Sequence, residues 1–255
     1  MLTIAQKRLR DKFQETRNPN HRLYLDNGSF SAILYQACRY EWPPEDDLIH
    51  EMLEAGAQVH NGLHTSPIFE AVDADNPSAL AWLHQYGARL DPGPPGPLPW
   101  RYIPLHQAAF GRLKVLEWLA AHGVDLDRVD THGRTALHIA AGRDQPQALK
   151  ILIDHGARLD LPDNNGIYPL RVAAKKAKPA NLAILIERGA ASSLDDSQWA
   201  DLTGMADTMY KHALGYYQSA DSEWLRRNHD WADWAKSLAD TRWAVLDLLL
   251  RYRDL

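Results

Sequence analysis

The chain has 255 residues, of which 45% are hydrophobic and 24% are charged, and its formal net charge is -5. This composition is typical of a globular protein, and no window approaches the roughly 18 unbroken apolar residues of a membrane span, which argues against a membrane protein. The single cysteine, Cys38, can form neither an internal disulfide nor a site of several thiolates. We therefore expect a cytoplasmic protein that needs no disulfide and no metal for its stability.

The N-terminal segment is basic, with six Lys or Arg residues against Asp11 and Glu15 in residues 1–25. It lacks the apolar core and small-residue cleavage site of a secretory signal, so we expect a retained amphipathic helix. The charge then alternates along the chain. Residues 26–91 contain two basic and eleven acidic residues, whereas residues 128–192 contain ten basic and six acidic residues. A nucleic-acid-binding protein more often has one dominant basic stripe, so this distribution argues against that class.

A pattern of eight residues occurs five times between residues 32 and 175. Its copies are AILYQACR (32–39), SPIFEAVD (66–73), IPLHQAAF (103–110), TALHIAAG (135–142) and YPLRVAAK (168–175). Each copy is followed by a second apolar stretch that ends in a glycine, at Gly56, Gly87, Gly123, Gly156 and Gly189. The intervals between these glycines are 31, 36, 33 and 33 residues, and such a near-constant period indicates a repeat architecture.

Local signals predict two helices in each copy. In several copies a proline precedes the leucine of the pattern, as at Pro104 and Pro169. Proline fits the first position of a helix, where a missing N–H costs nothing. Thr135 is a good N-cap for the corresponding helix of the fourth copy. A second proline, such as Pro146, opens the second helix, whose apolar residues recur at helical spacing. The final glycine ends this helix, so each copy predicts helix, turn, helix and loop.

These motifs resemble the ankyrin repeat, which opens with G-x-T-P-L-H-x-A-A and ends with V-x-x-L-L-x-x-G-A. The best match is DTHGRTALHIAAGRDQPQALKILIDHGA, residues 130–157, and the first copy is degenerate. The resemblance implies an all-α ankyrin-repeat solenoid of about five repeats over residues 26–192. Residues 1–25 would form an N-terminal capping helix. Residues 193–255, which hold five of the nine tryptophans, would form a C-terminal helical cap or extension of about three helices.

The resemblance also implies a non-enzymatic protein that binds a partner protein through its concave face and finger loops. Such a protein could be a stoichiometric inhibitor or neutraliser of the toxin-immunity type, which blocks an enzyme or toxin, or an adaptor. For each contact position of the family, an ordinary solvated side chain is the alternative. Carried over copy by copy, these partner-binding positions are His64, Asp73, Trp100, Tyr102, Phe110, Thr131, His132, Arg134, Arg143, Asn164, Asn165, Ile167, Lys175 and Lys176.

Two features stand out among these positions. The segment DPGPPGPLPWRY, residues 91–102, predicts a stiff finger whose Trp100 and Tyr102 anchor a partner. The alternative is that Trp100 folds back over the groove between repeats. Lys175, Lys176 and Lys178 could attract an acidic partner or a phosphate, and the alternative is a solvated helix end.

For two histidines and the single cysteine we expect structural roles. His106 and His138 occupy the usual histidine position of the family, where the ring binds neighbouring turn backbone, and Arg171 replaces it in the fifth copy. Cys38 stands where other copies have alanine and is expected in the core. The sequence contains no G-x-G-x-x-G, phosphate-binding loop, H-E-x-x-H or G-x-S-x-G string, so we expect no catalytic, cofactor or metal site. The alternative function is a catalytic or ligand-binding module in residues 193–255 that the repeats merely target.

Overall fold

A computed structural model describes residues 2–16, 22–24, 30–43, 47–57, 59, 67–91, 99, 103–192, 194–219 and 229–253. These residues form thirteen α-helices and one short β-hairpin. The chain folds into two compact units, Met1–His132 and Gly133–Leu255. Each unit has its own layers of packed helices.

The first unit begins with a helix and a two-stranded antiparallel hairpin, in which Arg22 lies opposite Ala32. Three helix pairs follow, and first helices pack on first helices while second helices pack on second helices. The elements are α1 (Ile4–Thr16), β1 (Arg22–Tyr24), β2 (Phe30–Ala32), α2 (Ile33–Ala37), α3 (Leu48–Glu54), α4 (Pro67–Asp73), α5 (Pro77–Gln85), α6 (Pro104–Ala108) and α7 (Leu113–Ala121).

The second unit contains two further helix pairs and two long helices of 24 and 25 residues. Helix α8 packs on α10, which packs on α12, and α9 packs on α11, which packs on α13. The long helices therefore continue the same stacking order as the pairs before them. The elements are α8 (Ala136–Ala141), α9 (Pro146–Asp154), α10 (Pro169–Lys175), α11 (Pro179–Glu187), α12 (Asp196–Ser219) and α13 (His229–Arg253).

The predicted all-α stack of helix pairs is confirmed, with one addition. The hairpin β1–β2 lies between α1 and α2, and the sequence analysis did not anticipate it. Helix α1 ends at Thr16, whereas a helical segment was expected over residues 1–25. The sequence signal for a hairpin is the Asn27–Gly28 dipeptide between short runs of β-forming residues, which a search for helical repeats passes over.

The helices begin and end where the local signals place them. Six helices start at a proline, and the five repeat-ending glycines all have positive φ, between 73° and 94°. Thr135 caps α8 together with His138. Proline costs no hydrogen bond at a first helical position, and glycine reaches positive φ without a Cβ clash. The short range of these effects explains why the sequence alone predicts them.

In three of the pairs, the turn between the two helices also has a residue with positive φ, at Asp75, Gly111 and Ala177. The left-handed conformation costs an L-residue about 1–2 kcal/mol. Replacement by glycine removes this cost, but glycine loses more backbone entropy on folding, which offsets part of the gain. We expect Ala177→Gly, with φ now 51°, to raise the free energy of unfolding by about 0.5–1 kcal/mol in urea denaturation. Ala183→Gly, inside α11, is the control and should lower it by about 1 kcal/mol. Equal destabilisation by both would contradict the strain at Ala177.

Candidate protein-binding surface

The turn that precedes α10 is fixed by one carboxylate, and we call residues 163–167 finger five. The side chain of Asp163 accepts hydrogen bonds from the backbone N–H of Asn165, at 2.8 Å, and of Ile167, at 3.0 Å. The backbone N–H of Asp163 donates to the carbonyl of Ile167 at 2.9 Å. Asn164 and Asn165 are exposed at the tip, whereas Ile167 is half-buried. The tip therefore presents polar side chains on a turn held by its own hydrogen bonds.

The turn before α8, residues 130–134, is finger four, and it has a similar construction. The carboxylate of Asp130 is fully buried and accepts a hydrogen bond from the backbone N–H of His132 at 2.8 Å. Thr131 and His132 are exposed, and the imidazole is 67% accessible. Arg134 is half-buried. As in finger five, an aspartate holds the backbone and leaves the tip side chains in solvent.

Within the second unit, Gly133 closely approaches finger five. Gly133 has φ 75°, and a Cβ placed on it would lie only 2.6 Å from the backbone nitrogen of Asn164. Such a contact is closer than van der Waals packing allows, so only a residue without a side chain fits. The approach holds Gly133 against the tip of finger five. Sequence reasoning missed it, because nothing local indicates which glycine faces the next turn.

His138 joins helix α8 to finger five. Its Nδ1 accepts a hydrogen bond from the backbone N–H of Thr135 at 3.1 Å, and its Nε2 lies 2.9 Å from the carbonyl oxygen of Ile167. A backbone N–H can only donate, so Nδ1 of His138 carries no hydrogen. The hydrogen is on Nε2, which donates a hydrogen bond to the carbonyl oxygen of Ile167. This confirms the structural role predicted for His138. In the fifth repeat, Arg171 instead donates to the carboxylate of Asp201 on α12.

The ends of the first helices carry exposed cations. Lys175 and Lys176 are exposed at the end of α10, and neither has an ion pair with a carboxylate of the described residues. Arg143 is exposed just after α8. Lys178 lies 3.7 Å from the carboxylate of Asp144. The basic cluster anticipated from the sequence is therefore split, with Lys178 paired and the other two lysines open to solvent.

The first unit contributes different chemistry at the corresponding positions. Asp73, exposed at the end of α4, accepts a hydrogen bond from the side-chain amide of Gln107 on α6. Phe110 is half-buried in the turn that follows α6. Asp73 is thus already engaged in a contact between repeats. His64, Trp100 and Tyr102, together with most of the proline-rich segment, lie outside the described residues.

Two buried asparagines tie neighbouring repeats together and were not predicted as important. The Nδ2 of Asn76 donates to the carbonyl of Tyr40 at 2.8 Å, and its Oδ1 accepts from the N–H of Ala79. The Nδ2 of Asn181 contacts the carbonyl oxygens at the end of α8, the nearest being that of Arg143 at 2.6 Å. Both side chains are 1% exposed. The available signal was the asparagine itself, a polar residue next to apolar helical positions.

Burial changes the acidity of two groups near the first helices of the first unit. Burial raises the pKa of the Cys38 thiol far above its ordinary value, and the nearby carboxylate of Glu70 adds to this. Burial also raises the pKa of Glu70 itself, against the opposing effect of Arg39, whose guanidinium lies 2.7 Å away. The Cys38 side chain is fully buried, which confirms its predicted place in the core. A thiol in this state is a poor nucleophile.

The described residues contain no cluster of three or more His, Cys, Asp or Glu side chains placed to hold a metal ion. Among the helices within these ranges, none combines the length and the apolar character that crossing a membrane requires.

Comparison with protein families gives one match, to a model described as ankyrin repeats in three copies, over residues 105–196. The match runs from α6 to the start of α12 and counts fewer copies than the five predicted, although five helix pairs are present in the described residues. Comparison with curated proteins gives no match. Ankyrin repeats are modules of protein–protein interaction. The matched segment and the stacked helix pairs show that the chain contains ankyrin repeats over residues 105–196.

Proposed function

We propose that this protein binds a partner protein without catalysing a reaction, and that the second unit carries a principal contact surface. We call it the finger surface and define it by seven positions: Arg134, Arg143, Asn164, Asn165, Ile167, Lys175 and Lys176. In the first unit, Asp73, Phe110, Thr131 and His132 are proposed as further contact positions. The proposal extends to His64, Trp100 and Tyr102 on the strength of their sequence positions alone.

The observation that carries this proposal is the rigidity of finger five. Asp163 fixes the turn by two hydrogen bonds from backbone N–H groups, and Gly133 packs directly against Asn164. A surface that is already ordered loses little conformational entropy when a partner binds. The amides of Asn164 and Asn165 offer both donors and acceptors to that partner. Contacts at this tip therefore convert efficiently into affinity.

The charge of the finger surface favours an acidic partner. Lys175 and Lys176 are exposed at the end of the first helix of the fifth repeat. In the preceding repeat, Arg143 after the first helix and Arg134 in the finger add positive charge. Complementary charge raises the association rate and excludes partners of the same sign. Binding should therefore weaken as the salt concentration rises, and an affinity indifferent to salt would contradict this electrostatic contribution.

We propose a stoichiometric blocker, of the inhibitor or immunity type, as the role of this binding. A rigid surface of fixed shape acts by occupying the partner's own surface, which needs no movement in the binding protein. An adaptor is the second possibility, and the composition of the complex distinguishes the two. A blocker forms a complex with one partner and lowers its activity, whereas an adaptor is isolated with two different proteins at once.

The geometry gives less support to a catalytic module in residues 193–255. Helices α12 and α13 pack on α10 and α11 in the order that the earlier pairs follow, so they extend the stack. Arg171 fastens α12 to the fifth repeat through Asp201. A segment built as a continuation of the repeats enlarges their surface, and this supports binding as the function of the whole described chain.

The double variant Lys175→Glu, Lys176→Glu should lose the partner. Reversing two exposed charges at an electrostatically steered interface is expected to weaken binding about ten-fold or more. The measurement is recovery of the partner by the tagged full-length protein from native-cell extract, quantified by mass spectrometry and followed by titration of the purified pair.

Lys150→Glu is the matched control, since Lys150 is exposed on α9, a second helix that carries no finger. It makes the same charge change away from the finger surface and should leave recovery unchanged. Equal recovery by the double variant and the wild type, with both folded by circular dichroism, would overturn the proposed surface.

A further inference from the structure

A small cavity lies between the fifth repeat and the start of the long helix α12. Its volume is about 60 Å³, and its walls are the side chains of Tyr168, Leu170, Leu194 and Leu202. Leu170 and Leu202 are buried, whereas Tyr168 and Leu194 are half-buried. Gly166 of finger five also lines it. The cavity therefore opens beside the finger surface and is mainly apolar.

Arg171 and Gln198, two polar residues that line this cavity, already have partners. Arg171 donates to Asp201. Gln198 and Asp195 form a reciprocal pair, in which the N–H of Gln198 donates to the Asp195 carboxylate at 2.7 Å and the N–H of Asp195 donates to the Gln198 side chain at 3.0 Å. A ligand would gain little by competing for these groups. What the cavity offers a ligand is therefore its apolar side chains.

The charges around the opening have a definite asymmetry. Lys175 lies four residues after Arg171 on α10, so both point to the same face of that helix, about 5–6 Å apart. Its ammonium group has no ion pair within the described residues. Of the three carboxylates near the start of α12, Asp195 caps the helix and Asp201 binds Arg171, while Asp196 is exposed. The charge left for a ligand on the α10 side is positive.

We propose that this cavity receives one aliphatic side chain, of the size of Leu or Val, from an acidic segment of the partner protein. The inference rests on the proposed function and names the chemistry of the partner at one place. A cavity of about 60 Å³ has room for the terminal methyl groups of one such side chain. Carboxylates flanking this side chain pair with Lys175 and Lys176. Apolar anchors in small pockets commonly dominate interface affinity.

The test uses three nonapeptides with the full-length protein. The first has one central Leu between Asp and Glu residues, the second has Gly in place of Leu, and the third keeps Leu but replaces the acidic residues with Lys and Arg. Methyl NMR of the leucines measures binding. We expect the first peptide to shift the methyl signals of Leu170, Leu194 and Leu202, and the other two to bind at least about ten-fold more weakly.

Variants of the protein locate the site. Leu194→Phe should fill the opening and weaken the first peptide about ten-fold, whereas Ile184→Phe, half-buried on α11, makes a similar enlargement elsewhere and should not. Lys175→Glu should weaken it as well, and Lys150→Glu should not. The inference is wrong if the first peptide leaves these methyl signals unmoved at millimolar concentration. It is also wrong if the Gly peptide binds equally well, or if Leu194→Phe binds as the wild type does.

A competition arm separates this inference from the proposed function. An excess of the first peptide should release the partner that the full-length protein recovers from native-cell extract. If the lysine double variant loses the partner but Leu194→Phe and the peptide leave it bound, the finger surface stands and the cavity assignment fails. If the peptide binds as expected but no recovered protein depends on Lys175 and Lys176, the cavity chemistry stands and the proposed function fails.

Discussion

Replacing Leu137 with alanine is expected to lower the free energy of unfolding by about 2–5 kcal/mol. Leu137 is 0% exposed and is the second residue of α8, in the core of the second unit. The loss combines the transfer free energy of the deleted methyl groups with the cavity that they leave. Leu170→Ala, at 2% exposure in α10, should cost a similar amount. Urea denaturation followed by circular dichroism measures both.

The control for these leucines is Lys176→Ala, which removes an exposed side chain from the end of α10. Substitutions at such positions usually change stability by less than about 0.5 kcal/mol. Equal losses for Leu137→Ala and Lys176→Ala would mean that the inside and the outside of the repeats are assigned incorrectly. A large difference supports the layer packing on which the finger surface depends.

Asn181→Ala is expected to destabilise the protein by about 2–3 kcal/mol, although it removes few atoms. The Nδ2 group lies 3.1 Å from the carbonyl oxygens of Ala140 and Ala141 and 2.6 Å from that of Arg143. The last carbonyls of a helix lack partners within the helix, so this amide supplies donors at the end of α8. Leaving a buried carbonyl without its donor costs about 1–3 kcal/mol. Chemical denaturation of the single variant measures the change.

Two comparisons separate hydrogen bonding from loss of volume at this position. Asn181→Asp has nearly the same shape but sets a carboxyl oxygen against carbonyl oxygens where the amide donated, so it should cost at least as much as Asn181→Ala. Asn165→Ala, at the exposed tip of finger five, should cost less than about 0.5 kcal/mol. A stable Asn181→Asp protein would show that the contacts to α8 do not depend on donation by the amide.

Repeat detection matters for function because the surface positions follow from it. The alignment of the helix pairs places four residues at the tips of fingers four and five: Thr131, His132, Asn164 and Asn165. All four side chains are exposed. Their contact with a partner remains a proposal that the lysine and peptide experiments test.

The sequence by itself determined the helical repeats, because the signals involved act over a few residues. Proline at a helix start, glycine at positive φ and the N-cap at Thr135 depend on local backbone geometry. Burial of Cys38 and Leu137 follows from the same periodicity. These features need no knowledge of which repeat lies beside which.

Only the tertiary structure decided how neighbouring repeats use their polar groups. Asp73 accepts a hydrogen bond from Gln107, and Gly133 packs against Asn164. Arg171 pairs with Asp201, and a cavity lies between α10 and α12. These contacts join residues about thirty positions apart, and their distances depend on how closely the helix layers stack. Stacking distance is set by the sum of many side-chain volumes in the core, which no short sequence motif encodes.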